Sequence, residues 1–139
     1  MDYTRHSDER GMTNEQNALL VLVRTGLKEM TGGEVAECGF TLSGLSQHKL
    51  QCLAHEQGVT GIAWTGYERL HGKLAPDGQL ASGYKLQWFA SAQGVERATK
   101  SLFERAAEFA GILRREGNLN CVVLKGIDYA QLYPPAVLP

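Results

Sequence analysis

Leu119-Asn120-Cys121-Val122-Val123-Leu124-Lys125-Gly126-Ile127-Asp128-Tyr129-Ala130-Gln131-Leu132-Tyr133-Pro134 is the stretch on which the fold class turns. Its first six residues are short, β-rich and mostly apolar, the composition of a buried strand bounded by turn residues. Lys125-Gly126 then interrupts the run. Ile127 to Tyr133 has room for about two helical turns before Pro134-Pro135 forbids continuation. The segment therefore reads as strand, tight turn and short helix. The regular elements before it all read as helices, so the expected class is mainly α with a C-terminal strand-turn-helix.

Immediately upstream, from about Gln79 to Glu116, lies the longest helical signal. Leu86, Phe89, Val95, Leu102, Phe103, Ala106, Phe109 and Leu113 recur mostly at three- and four-residue steps, which predicts a core-facing stripe. Gly94 falls inside it and costs about 1 kcal/mol relative to alanine, so a kinked or paired helix is expected there. Glu96, Arg97, Lys100, Glu104, Arg105 and Glu108 fill the other faces and read as solvated charge. Further back, Pro76-Asp77-Gly78 marks a turn. Two shorter helices, Gln47–Gln57 capped by Ser46 and Thr60–Leu70 restarting after Gly58, form an expected hairpin with Leu50, Leu53, Ala54, Ile62, Ala63, Tyr67 and Leu70 inward.

Glu34 to Gly44 lacks a sustained period and reads as a loop. Before it, Thr13-Asn14-Glu15-Gln16 has capping-box spacing, and Leu19, Leu20, Val23, Leu27 and Met30 make an apolar face that Gly32-Gly33 is expected to terminate. Residues 1–13 are polar and read as a flexible tail, residues 14–117 as a helical domain, and residues 118–139 as the start of a second unit.

Composition excludes several classes. Fourteen basic residues against fifteen acidic ones, a net charge of -1, leave no bulk attraction for nucleic acid or anionic lipid. The longest apolar run, Ala18 to Val23, is far short of the roughly twenty residues that span a bilayer, and Met1 to Asn14 has no secretory pattern, so a cytoplasmic location is expected. Cys38, Cys52 and Cys121 are odd in number and widely spaced, without a CxxC. They predict neither a disulfide framework nor a zinc knuckle, and Cys52 and Cys121 read as packed thiols without a histidine partner. His48 and His55 read as surface or capping residues. Trp64, Tyr67, Tyr84, Trp88 and Phe89 read as packing rather than as base-stacking platforms. P-loop, dinucleotide-binding and zincin motifs are absent from the sequence.

A strand running into a glycine turn and a helix presents backbone N–H groups to an anion. Lys125 adds a positive charge, and Gly126 allows close approach of a phosphate. As an isolated string, Leu-Lys-Gly is an ordinary strand-to-helix connection.

Three stretches together carry a family resemblance. They are Leu45-Ser46 through Leu50 and Leu53 to His55-Glu56-Gln57-Gly58-Val59; Ile112-Leu113-Arg114-Arg115-Glu116-Gly117; and Val122 to Pro134. In this order they resemble the uncharacterised bacterial nucleotidyltransferase family of the polymerase-β-like superfamily, over roughly Asn14 to Pro134. The resemblance implies a helical N-terminal region leading into an α/β catalytic core, with Lys125 and Gly126 serving nucleotide binding. It implies Mg²⁺ and a nucleoside triphosphate as cofactors, and transfer of a nucleotidyl group to an acceptor that the sequence leaves unknown.

The family places a Gly-Asp-x-Asp strand shortly after Tyr-Pro, and its carboxylates hold the metal. Here thirteen residues follow Gly126, with Asp128 as their one acid, and Asp128 reads as a first-turn helix residue rather than a ligand. The expectation is a truncated core that is inactive alone. The alternative expectation is a stand-alone α-helical interaction module without catalytic activity, self-associating through its C-terminal strand.

Overall fold

A computed structural model describes residues 11–122. Among them are five α-helices and no strand: α1 Asn14–Gly26, α2 Gly32–Glu37, α3 Gln47–Glu56, α4 Thr60–Leu70 and α5 Ser82–Gly117, with 3₁₀ turns at His71–Lys73 and Pro76–Gly78. None of these helices is long and apolar enough to cross a membrane.

The local rules that begin these helices are the ones the sequence displays. Thr13 Oγ1 accepts the Gln16 amide at 3.2 Å, and Gln16 Oε1 accepts the Thr13 amide at 2.8 Å, closing the capping box on α1. Ser46 caps α3 by accepting the Lys49 amide. Gly58 adopts φ +67° after the C-terminus of α3, a left-handed position in which a side chain would be strained.

Helix α4 is the centre of the fold. Residues Thr60 through Tyr67 are all buried, as is Leu70, so α4 is enclosed on nearly every face. Its closest partner is α1, and the contact is backbone on backbone. A methyl group at Gly66 would strike the Leu22 carbonyl, and one at Gly26 would strike the Ile62 carbonyl. Thr25 and Thr65 are buried polar residues, and each hydroxyl bonds a carbonyl of its own helix, Val21 at 2.8 Å and Gly61 at 3.1 Å.

This crossing corrects the expected inner face of α1. Ala18, Leu19, Leu22, Thr25 and Gly26 are buried, whereas Leu20 and Leu27 are exposed. Close approach selects small residues, and an apolar count does not register them. The end of α1 also differs from expectation. Arg69 of α4 donates to the Thr25 and Gly26 carbonyls at 2.8 and 2.6 Å, and Lys28 takes φ +63°, so α1 stops before Gly32-Gly33.

Those two glycines instead open α2, within a stretch expected to loop. Thr31 Oγ1 accepts the Glu34 amide and Glu34 Oε2 accepts the Thr31 amide, a second capping box. Its reward is Val35, which is buried.

Helix α5 runs unbroken through Gly94, so of the expected kinked or paired helix the paired form does not occur. None of its expected core stripe is buried: Leu86, Phe89, Leu102 and Phe109 are exposed and Val95, Phe103, Ala106 and Leu113 are half-buried, whereas the residues that α5 buries against the body are Trp88 and Ala92. At the end of α5, Asn118 turns left-handed at φ +49°, and the Leu119 amide bonds the Leu113 carbonyl. Leu119 to Val122, the first part of the expected buried strand, are exposed and form no ladder. A strand needs a paired edge, and no other strand exists among the described residues. Leu124, the Lys125-Gly126 turn and the Ile127–Tyr133 helix lie outside the described residues.

Candidate functional site

The described surface concentrates its chemistry in a cleft where α3 faces α5. On α3, His48, Cys52 and His55 follow one another at four- and three-residue steps and so share a face. Leu50 and Ala54 of the same helix point into the core and hold that face outward. On α5, Gln87, Trp88 and Ser91 form the opposite wall, and the space between measures about 250 Å³.

Trp88 fixes the floor. It is 2% exposed and its indole N–H donates to the Thr60 carbonyl at 3.1 Å, tying α5 to the start of α4. Two glutamines hold α3 against α5. Gln51 Nε2 donates to the Tyr84 carbonyl at 2.7 Å, and Gln47 Oε1 accepts the Ala81 amide at 2.8 Å. Ser91 Oγ donates back to the Gln87 carbonyl.

Cys52 Sγ lies 3.6 Å from His48 Nε2. This contact corrects the expectation of a packed, partnerless thiol: Cys52 is exposed, and its histidine stands one helical turn earlier. Cys121 is exposed as well. His48 and His55 are on the surface as expected, and both line the cleft. The i, i+4 spacing of His48 and Cys52 was the available signal, and it becomes meaningful only because α5 supplies a facing wall. Among the described residues no group of three His, Cys, Asp or Glu side chains is placed to hold a metal.

Elsewhere, the expected packing role of the aromatics holds for Trp64, Tyr67 and Trp88, all buried. Phe89 packs edge-on against Trp64 at 5.8 Å while keeping an exposed side. Burial raises the Tyr67 phenol above its ordinary range, although its oxygen accepts the Leu80 amide. The carboxylates with resolved shifts serve structure. Glu15 is lowered by backbone N–H groups, its own first and that of Ser46 next, with Lys49 adding a smaller attraction. Glu34 is lowered chiefly by the Thr31 amide of its capping box.

A second cavity, of about 310 Å³, runs beside the end of α5. Leu119, Asn120 and Cys121 line it together with Ala107, Ala110, Gly111 and Arg114, so the chain turns back alongside the helix after Asn118. Lys125 and Gly126, the expected nucleotide-binding residues, lie outside the described residues, as does Asp128. No family model, curated protein or solved structure matches this chain.

Proposed function

We propose that this chain is the N-terminal helical region of a nucleotidyltransferase, with Lys125-Gly126 as the turn that meets the nucleotide phosphates. The observation that carries the reading is the ordered sequence itself: helix-forming segments followed by Leu124-Lys125-Gly126 and Tyr133-Pro134. The turn of the chain beside α5 is in keeping with it, since a helix followed by a returning extended segment is the unit from which helix-on-sheet layers are built.

In this reading the acceptor attacks the α-phosphorus of a nucleoside triphosphate and pyrophosphate departs. Bound Mg²⁺ would neutralise the developing charge. Lys125 would contribute a cation beside the phosphates, and Gly126 would leave its backbone open to them. The metal-binding carboxylates of the family pattern are not among residues 1–139, and the part proposed for Lys125 and Gly126 is nucleotide binding.

Calorimetric titration of the full chain with MgATP and the other Mg-nucleoside triphosphates tests the proposal. Binding that weakens about tenfold or more in Lys125→Ala is expected, in line with loss of a charge-assisted phosphate contact. Equal binding by the variant, or none by the parent, overturns it. The coding sequence after Pro139 provides a second check: a Gly-Asp-x-Asp strand is expected within about twenty-five residues, given ordinary loop lengths.

A second reading rests on a different observation. Beyond Val95 the apolar side of α5 is uncovered by the described residues, with Leu102 53% and Phe109 57% exposed. In this reading the chain is an α-helical interaction module whose α5 pairs with that of a second copy, since three- and four-residue apolar spacing suits helix-on-helix packing. Size-exclusion chromatography with light scattering checks it. A dimer that dissociates in Leu102→Glu supports the module, and a monomer at high concentration removes it.

A further inference from the structure

The His48–Cys52 cleft has no part in either reading above, and it has chemistry of its own. Cys38, Cys52 and Cys121 are all exposed. Among the described residues, Cys52 is the one cysteine whose sulfur meets an imidazole, at 3.6 Å. The two side chains are i, i+4 neighbours on α3, so the backbone helix itself maintains their separation. Their shared face opens onto the cleft of about 250 Å³.

We infer that Cys52 is a nucleophilic thiol, with His48 as its base, that undergoes exchange with low-molecular-weight disulfides entering the α3–α5 cleft.

In the tautomer that carries its proton on Nδ1, His48 Nε2 takes the proton from Cys52 Sγ. The thiolate attacks one sulfur of the incoming disulfide and a new S–S bond forms to Cys52. The old S–S bond breaks and its electron pair leaves on the second sulfur, which takes the proton back from the imidazolium. Cys52 is thereby oxidised to a mixed disulfide while half of the reagent is reduced to a free thiol, and no other oxidant is required.

The cleft favours this class of electrophile over an acyl group. Acyl transfer places charge on an oxygen and calls for donors aimed at it. Of the donors lining the cleft, three are already engaged with backbone carbonyls: Gln51 with Tyr84, Trp88 with Thr60, and Ser91 with Gln87. Disulfide exchange keeps the developing charge on sulfur and needs only the base.

The three exposed cysteines supply the test within one molecule. The full chain is treated briefly with oxidised glutathione, and mixed disulfide at each cysteine is followed by mass spectrometry of its peptides. Cys52 is expected to react about fivefold or more faster than Cys38 and Cys121. In His48→Gln, Cys52 should fall to their rate while circular dichroism retains the helix content. In urea that unfolds the parent chain, the three rates should converge, an arm that decides the matter even where the variant folds poorly. Equal rates in the folded parent overturn the inference. So does a lead for Cys52 that survives either His48→Gln or unfolding.

Discussion

The two halves of α5 have the same amphipathic design and different fates. Before Gly94, Trp88 and Ala92 are buried, and Trp88 is bonded to α4. After Gly94 the pattern continues through Val95, Leu102, Ala106, Phe109 and Leu113, yet Leu102 and Phe109 are more than half exposed. Periodicity determines which face of a helix is apolar. Burial requires a second surface, and among the described residues only the first half has one.

The largest expected effect lies at the seated end. Trp88→Ala should cost about 3–5 kcal/mol in urea denaturation, because it removes a buried ring and strands the Thr60 carbonyl bond. A loss below 1 kcal/mol would mean that the first half is no better seated than the second. Gly94→Ala addresses the boundary between the halves. An added Cβ there meets nothing within 4 Å, so the variant should gain about 0.5–1 kcal/mol from helix propensity, seen as a raised Tm. A destabilised variant would show that the junction needs glycine.

Phe109→Ala should change the stability of the dilute chain by less than about 0.5 kcal/mol, as expected of a surface substitution. A larger loss that appears only at high protein concentration would place a second copy on that half.

The smallest effect concerns the body on which the first half is seated. Glu15 and Glu34 sit below the ordinary carboxylate range in the folded chain, held there by backbone N–H groups. Their contribution is complete above the unfolded carboxylate range and disappears as the pH falls through the lowered folded values. Urea midpoints taken across that range should decline on acidification, and Glu34→Gln should flatten the decline.

Local signals made much of this architecture legible. Thr13, Ser46 and Gly58 announce their helix ends through a hydroxyl spacing or a left-handed glycine, and both act over three or four residues. The same logic was present at Thr31-Gly32-Gly33-Glu34, where two glycines masked a capping box. The end of α1 was not legible, because Arg69 supplies it from forty-three residues away. Nor was the cleft: His48 and Cys52 are close in sequence, but the wall that faces them comes from α5.

The sequence by itself determined where most helices start, which side of each is apolar, and that the chain carries no bulk charge. Those properties follow from neighbours within a turn or two and from simple counts. Only the tertiary structure decided that α4 is enclosed, that Gly26 and Gly66 sit at a backbone-close crossing, and that α5 is seated along one half alone. Each depends on the meeting of two distant surfaces, a matter of shape and separation that no single stretch of sequence contains.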